Sequence, residues 1–250
     1  MTETKSGNVV RLPKASPRPA QADSPCAACP VRDLTVCSAL EDWELERLNA
    51  IRMSTEVPHG ATLFDEGAQA NYVYNLTAGC MKLYKLLPDG RRQITGFVFP
   101  GDFLGLASAS EYIYTAETVS DSALCRFKRT QLKKLFEEFP KLESRLLSIS
   151  RDELVDAHNQ MLLLGRKTAR ERIASFLLML SKRAEELGFP GNPISVPMSR
   201  NDIGDYLGLT TETVSRTMTR LKSSDVISLG ADRAITIEDR DSLEEMADGF

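Results

Sequence analysis

The sequence predicts an α+β protein with an N-terminal antiparallel β-roll, a long helix and a C-terminal winged helix-turn-helix. Short alternating apolar runs separated by glycines fill residues 54–127, which is typical of a small roll of antiparallel strands. A helical apolar repeat covers residues 141–164. Two helix-capping patterns with a glycine between them follow in residues 199–221, as a helix-turn-helix requires.

These patterns divide the chain into four parts. We predict a flexible tail over residues 1–25, because this stretch is rich in Pro, Ala, Ser and Lys and has no periodicity. A cysteine-bearing segment and the sensory roll occupy residues 26–139, and the long helix spans 140–165. The winged helix-turn-helix takes residues 166–250.

Composition places the protein among globular proteins of the cytoplasm. The 250 residues are 42% hydrophobic and 26% charged, enough for one large or two modest cores. No run of eighteen apolar residues and no signal peptide occurs, so we expect a cytoplasmic protein that does not enter a membrane. The formal net charge is −4, yet residues 166–222 contain ten basic and six acidic residues. A basic C-terminal part within an acidic chain favours DNA as a partner.

Three cysteines lie close together near the start of the chain. Cys26, Cys29 and Cys37 form the pattern C-A-A-C-P-V-R-D-L-T-V-C. Three thiols within twelve residues predict a soft-metal site that holds either zinc or an iron–sulfur cluster. A disulfide is the less favoured interpretation, because cytosolic thiols stay reduced.

The fourth ligand of such a site is Cys80 or Cys125. The only two histidines, His59 and His158, do not stand at a metal-ligand spacing from the three cysteines. Cys80 falls in a strand-like apolar run, where a cysteine is more often a small core residue. We favour Cys125, which we expect at the end of a short strand, where its thiol can reach a neighbouring segment.

The long helix carries an apolar seam. Its spacings of seven, three, four and three residues are those of a coiled coil, which buries such a seam against a parallel partner helix. We therefore predict a homodimer, with a helix packed on its own domain as the alternative. The seam consists of Leu147, Leu154, Ala157, Met161 and Leu164.

The helix-turn-helix has recognisable caps. Ser199 with Asp202 resembles a capping box, Gly208 supplies the turn and Thr210 can cap the second helix. We expect packing across the turn between two pairs of apolar side chains: Ile203 and Leu207 with Val214 and Met218. A hairpin over residues 226–237 would form the wing.

That packing leaves Glu212, Ser215 and Arg216 pointing outward, next to Thr211. Arginine can donate two hydrogen bonds to guanine O6 and N7, and glutamate can accept from the cytosine amino group. Serine can reach a base edge or a phosphate. These residues predict a DNA-reading surface in a major groove, against the alternative of an ordinary solvated helix face.

The glycine spacing and the motif P-G-D-F-L-G at residues 100–105 resemble the effector domain of the cyclic-AMP receptor protein superfamily. Nucleotide-binding members have a glutamate soon after the second glycine and an arginine for the cyclic phosphate. Here Gly105 is followed by Leu106 and Ala107, and no arginine lies between Arg92 and Arg126. A buried phosphate would lack its partner, so we expect no cyclic nucleotide.

The stretches I-G-D-Y-L-G-L-T-T-E-T-V-S-R (residues 203–216) and M-L-L-L-G-R-K-T-A-R-E-R (161–172) resemble the fumarate and nitrate reduction (FNR) and FixK-type oxygen-sensing regulators of that superfamily. The resemblance implies a homodimeric activator that works with RNA polymerase and binds a TTGAT-N4-ATCAA-like palindrome at low oxygen. It assigns base reading to Glu212, Ser215 and Arg216. It also implies a [4Fe-4S] cluster held by Cys26, Cys29, Cys37 and Cys125.

Other classes of function stay open on the residues alone. One is a related regulator that binds zinc or senses a small molecule in the roll, and another is an iron–sulfur electron carrier. We expect no enzyme, because the chain lacks a phosphate-cradling glycine loop, a nucleophile elbow and a histidine near a base partner.

Overall fold

The computed structural model describes residues 25–26, 28–105 and 110–249, and it confirms the predicted α+β fold. Apart from Pro25, the predicted flexible tail lies outside the described residues. The helices are α1 (Asp42–Ile51), α2 (Arg129–Glu138), α3 (Pro140–Arg166), α4 (Ala169–Glu186), α5 (Arg200–Leu207), α6 (Thr211–Ser223) and α7 (Arg240–Asp248). The strands are β1 (Met53–Val57), β2 (Thr62–Phe64), β3 (Tyr72–Ala78), β4 (Met81–Leu86), β5 (Arg92–Val98), β6 (Phe103–Leu104), β7 (Thr115–Thr118), β8 (Ser122–Lys128), β9 (Ile194–Ser195), β10 (Ile227–Leu229) and β11 (Ala234–Ile237).

Strands β1 to β8 form the roll as two antiparallel sheets with the orders β1-β8-β3-β6 and β2-β7-β4-β5. Because successive side chains of a strand point to opposite faces, each sheet contributes one apolar face to a shared core. In the first sheet β8 lies between β1 and β3, and the register places Cys125 opposite Ser54 on one side and Asn75 on the other. The core includes Leu76, Met81, Val98, Leu104 and Leu124.

Aromatic side chains pack together inside the roll. Phe64 stacks on Tyr112 with 3.8 Å between ring centroids. The remaining rings against Phe64 are those of Tyr74 and Tyr114.

Leu106 and Ala107, which follow Gly105, lie outside the described residues. The expectation that no cyclic nucleotide binds therefore stays a prediction.

Helix α1 packs against α2 and the start of α3. Leu45 and Leu48 are fully buried there. Trp43 is 66% exposed, and its ring meets that of Phe139 edge to face with 6.0 Å between centroids. It points away from Leu45 because residues two apart on a helix differ in direction by about 200°. The buried carboxylate of Glu44 pairs with the Lys141 ammonium at 2.6 Å and so joins α1 to α3.

The winged helix-turn-helix has the predicted caps. Ser199 and Asp202 form a capping box, Gly208 takes the left-handed conformation with φ +63°, and the Thr210 hydroxyl accepts from the Thr213 amide. The predicted hairpin is β10 and β11, and β9 adds a third strand to it, which the sequence analysis missed. Helix α7, also missed, packs on α4. The expected apolar contacts form in one core that contains Ile203, Leu207, Val214 and Met218.

Arg172 on α4 joins the long helix to the helix-turn-helix. Its guanidinium donates to the carbonyl oxygens of Leu207 at 2.8 Å and Leu164 at 2.9 Å. These two carbonyls belong to the last turns of α5 and α3, where backbone acceptors lack intrahelical partners. Arg172 therefore fixes where α3 ends relative to α5.

The turn at Gly208 offers a test of this arrangement. We expect Gly208→Ala to lower the free energy of unfolding by about 1 kcal/mol or more, because an L-residue there adopts a left-handed conformation. Its Cβ would also lie 3.3 Å from the Arg172 Nη1 atom. Gly230→Ala is the matched control, since its φ is −90° and its Cβ would make only ordinary contacts. Urea unfolding measures both, and equal costs would contradict the prediction.

Candidate metal centre and nucleic-acid interface

Four of the five cysteines line a single cavity of about 250 Å³ between the N-terminal segment and the roll. They are Cys26, Cys29, Cys37 and Cys125, the set that the sequence analysis favoured. All four are free thiols in the structure. The fold thus brings Cys125 to three thiols that precede it by 88 to 99 positions in the chain.

Local structure explains where each thiol sits. The Cys29 amide donates to the Cys26 carbonyl, and Cys37 lies in a 3-10 turn, Val36–Ala39, whose Thr35 cap accepts from the Cys37 amide at 3.1 Å. Cys125 was expected at the end of a strand, and this detail is wrong. It lies in the middle of β8, held by ladder pairing with β1 on one side and β3 on the other.

Cys80 does not line this cavity. It was expected within a strand, but it lies between β3 and β4. It is 3% exposed and belongs to the core that the roll shares with the winged helix-turn-helix. Complete burial raises the pKa of its thiol, as expected for a packing residue.

Burial also shifts the pKa values of the thiols that line the cavity. It raises the pKa of Cys26 and Cys29 above the ordinary value, and that of Cys37 to about 12. The Arg52 guanidinium acts in the opposite direction on Cys26 and Cys29, and its Nη1 lies 4.0 Å from the Cys125 sulfur. A bound soft metal would displace the thiol protons and bind the cysteines as thiolates. The positive charge of Arg52 would stabilise these thiolates.

One buried polar atom at this cavity has no hydrogen-bond partner. The Asn75 Nδ2 atom lies 3.8 Å from the Cys37 sulfur, while its Oδ1 atom is buried and unpaired. Within the described ranges, no group of three or more histidine, cysteine or carboxylate side chains is arranged to hold a single metal ion. Four sulfur donors around one cavity fit a group that takes one thiolate at each of four corners, as a [4Fe-4S] cluster does.

The cysteine segment touches the long helix directly. Arg145 on α3 donates to the Leu34 carbonyl at 3.3 Å, within the 3-10 turn Arg32–Leu34 between Cys29 and Cys37. Val36 and Leu40 share an apolar cluster with Leu142, and Leu146 and Ile149 of α3 pack against that cluster. The position of the segment and the position of α3 are therefore coupled.

The predicted DNA-reading residues lie on one open face of α6. Glu212, Ser215 and Arg216 are exposed, while Val214 and Met218 on the opposite face are buried. A loose contact of 4.0 Å between the Arg216 and Glu212 side chains leaves both available to a ligand.

Two further cations of the winged helix-turn-helix were not singled out from the sequence. Arg200 at the start of α5 and Arg233 in the wing line a cleft of about 430 Å³. Arg233 has a positive φ of 60° and donates to the Pro197 carbonyl, which fixes the tip of the wing. Arg233 could have been identified from the sequence as a basic residue in the turn of the predicted wing. Both arginines are candidates for contacts with DNA phosphates.

Most of the predicted seam on α3 has no partner in the single chain. Leu147, Leu154 and Met161 are 61%, 57% and 67% exposed, and Ala157 is exposed too. Leu164 differs, because it is half-buried next to the turn at Gly208. None of the described helices, α3 included, is long and apolar enough to cross a bilayer. An apolar stripe of this length favours a protein partner.

Comparison with known proteins identifies both halves of the chain. Residues 54–139 match the cyclic nucleotide-binding domain family, and residues 171–246 match the Crp-like helix-turn-helix domain family. The nitrogen fixation regulation protein FixK of Bradyrhizobium diazoefficiens is 40% identical over 204 residues, 82% of this chain and 86% of that protein. The transcriptional activator protein FnrL of Cereibacter sphaeroides is 36% identical over 226 residues, 89% of this chain and 91% of that protein.

The solved structure of FixK2 from Bradyrhizobium japonicum has a TM-score of 0.74 to this chain. It shares 37% sequence identity, and the match covers 78% of this chain and 97% of that structure. These relatives are transcription regulators and not enzymes, which confirms the expectation from the sequence. On the fold, the helix-turn-helix and these matches together, the chain belongs to the FNR/FixK-type transcription regulators of the cyclic-AMP receptor protein superfamily.

Proposed function

We propose that this regulator responds to oxygen through a [4Fe-4S] cluster held by Cys26, Cys29, Cys37 and Cys125, and that it acts in the cytoplasm as a homodimeric activator. It binds a TTGAT-N4-ATCAA-like palindrome when oxygen is low. The observation that carries the proposal is the convergence of these four thiols on one cavity, formed in part by a segment that packs against α3. When bound, the cluster supplies an oxygen-labile cross-link between the N-terminal segment and β8.

Contacts between the N-terminal segment and α3 couple cluster binding to the position of the long helix. With the segment held on β8, Leu34 keeps its hydrogen bond to Arg145, and Val36 stays packed near Leu142. A segment that leaves the roll gives up both contacts. Helix α3 then loses support along its N-terminal half, where the seam begins at Leu147.

A stable α3 seam sets the distance between two DNA-reading faces. Parallel pairing of the exposed leucines would bury the seam and place two α6 helices on the same side of a dimer. Such a dimer contacts half-sites one helical turn apart, about 34 Å, and each half-site raises the effective concentration at the other. The exposed turn Pro88–Arg91 between β4 and β5 is our candidate for a contact with RNA polymerase.

The cysteine assignment has a direct test. We expect Cys125→Ser to abolish iron binding while the fold is retained, because it removes one of the four sulfurs around the cavity. Cys80→Ser is the matched control and should keep the iron, since Cys80 lies in a different core. Both proteins are purified without air and assayed for iron, sulfide and visible absorbance.

Three outcomes would contradict this assignment. Iron loss in Cys80→Ser with iron kept in Cys125→Ser would move the fourth ligand to Cys80. A colourless wild-type protein that contains zinc would replace the cluster by zinc, whose filled d shell gives no visible band. Wild-type protein that binds its operator equally well after removal of iron would show that the metal does not control DNA binding.

Base reading by Arg216 is tested on DNA. We expect Arg216→Ala to cost about 1 to 3 kcal/mol per half-site and to relax the preference for guanine at one position. Arg220→Ala is the control, because Arg220 lies one turn further along the same exposed helix and its loss removes the same charge. It should leave the base preference unchanged. If Arg216→Ala weakens operator and random DNA equally, Arg216 contacts phosphate only.

The dimer is tested through its seam. We expect Leu154→Glu to convert the dimer into a monomer, because it places a charge in the centre of an apolar interface. Leu86→Glu is the control, since Leu86 on β4 is a leucine of similar exposure, 61%, outside the seam. Sedimentation velocity measures the mass, and a Leu154→Glu protein that stays dimeric would exclude this seam as the interface.

A further inference from the structure

The roll and the helix-turn-helix are joined by a group of charged side chains that we call the latch: Lys82, Arg92, Asp202 and Asp205. Lys82 on β4 pairs with Asp202 on α5 at 3.0 Å. Arg92 on β5 pairs with Asp202 at 2.9 Å and with Asp205 at 2.8 Å. The partners are more than one hundred residues apart in the chain, so the latch is purely tertiary.

The latch is removed from solvent at its centre. The Lys82 side chain is 8% exposed and that of Asp202 is 10% exposed. Lys82 also pairs with Glu117 at 2.9 Å, and Gln93 donates to the Asp205 carbonyl at 2.8 Å. Exposed ion pairs contribute little, but removing one partner of a buried pair leaves an uncompensated charge and is strongly unfavourable.

Asp202 has two structural roles at once. Its carboxylate accepts from the Ser199 amide in the capping box at the start of α5, and it also pairs with both roll cations. Burial opposes its ionisation, yet hydrogen bonds from Ser199 and Lys82 hold the pKa of Asp202 below its ordinary value. One ionised group therefore connects the first turn of the helix-turn-helix to the roll.

Apolar contacts lie beside the latch. Phe97 on β5 meets Tyr206 on α5 with 5.0 Å between ring centroids, and Phe176 on α4 meets both rings at about 6 Å. Apolar surfaces can slide past each other at small cost, whereas hydrogen-bonded charge pairs are directional and are lost after a small displacement. The latch therefore selects one orientation of α5 among those that the aromatic contacts allow.

The latched orientation leaves the DNA-reading face free. The latch holds α5, while Glu212, Ser215 and Arg216 on α6 stay exposed. We propose that Lys82, Arg92, Asp202 and Asp205 are positioning residues for DNA binding, which hold each helix-turn-helix at one fixed orientation on its roll. This inference rests on the dimer of the proposed function. In that dimer, each reading face binds its own half-site, and no conformational entropy is lost in fixing the helix-turn-helix on the roll when DNA binds.

The test uses the anaerobically prepared full chain. Lys82→Met removes the ion pairs of Lys82 with Asp202 and Glu117, and Asp205→Asn removes the charge from the Arg92–Asp205 pair, each at nearly constant side-chain size. Asp205 is the more exposed position and tolerates substitution better. Lys85→Met is the matched control, because Lys85 lies on the same strand and pairs with Glu66 at the surface. Its loss removes the same charge as Lys82→Met. Urea unfolding confirms that each variant is folded.

Affinity is measured by fluorescence anisotropy on a palindromic duplex and on a duplex with a single half-site, at several salt concentrations. We expect Lys82→Met and Asp205→Asn to weaken palindrome binding roughly tenfold or more and to leave half-site binding unchanged, because orientation matters only when both half-sites must be met. The salt dependence should be unchanged, since latch residues touch no phosphate. Lys85→Met should match the wild type in every measurement.

Equal losses on the two duplexes, or no loss on the palindrome, would overturn the inference. A decrease of the salt slope by about one for Lys82→Met would do the same, because it would mark Lys82 as a phosphate contact. Amide hydrogen exchange of α5, measured without DNA, adds a readout that does not depend on the dimer. It should be faster in both latch variants than in Lys85→Met, and unchanged exchange would also refute the latch. Wild-type protein with no preference for the palindrome would instead refute the proposed function.

Discussion

The packing of one short segment between β8 and α3 is the contact on which the rest of this regulator depends. Residues 28–40 form two 3-10 turns that lie against the roll on one side and the long helix on the other. Their apolar side chains belong to the same buried cluster as Phe127 at the end of β8 and Leu142 at the start of α3. The same packing places Cys29 and Cys37, together with the preceding Cys26, around one cavity with Cys125.

The cysteine-lined cavity and the long helix α3 are in contact with the same N-terminal segment. The thiols lie in a partly buried cavity where burial favours their protonated form, and Arg52 is close enough that it would stabilise thiolates if a metal replaced the protons. Because the segment also contacts α3 through Arg145, the cysteine-lined cavity and the exposed seam of α3 are linked by one set of contacts. Coupling between the cavity and the seam then depends on which contacts between the segment and α3 are kept.

Charge is distributed so that the roll and the DNA-binding part complement each other. Residues 166–222 carry a net charge of +4, and the rest of the chain carries −8. Two of the six acidic residues in this basic part, Asp202 and Asp205, face cations of the roll instead of solvent. Within the described part of the chain, Arg200 and Arg233 pair with no carboxylate of the roll, and they line a cleft of the winged helix-turn-helix.

The sequence by itself determined the elements whose signals are local. Capping at Ser199 and Thr210, the turn at Gly208 and the outward direction of Arg216 follow from rules that span a few residues, and all of them are present in the structure. The seam of α3 also follows from spacing alone, although the half-burial of Leu164 does not. The roll was recognised from its alternation and its glycines, but its strand order was not.

Only the tertiary structure decided which distant residues meet. The position of Cys125 within β8, the separation of Cys80 from the other thiols, and the pairing of Lys82 and Arg92 with α5 each depend on register and domain docking. The short strand β9 was missed because two residues carry little local signal and its pairing with β11 is tertiary. Helix α7 has local caps at Asp239 and Gly249, a signal that the sequence analysis did not use, and it packs on α4. Local propensity acts over a few residues, whereas burial and ion pairing are shared by segments that the chain order keeps far apart.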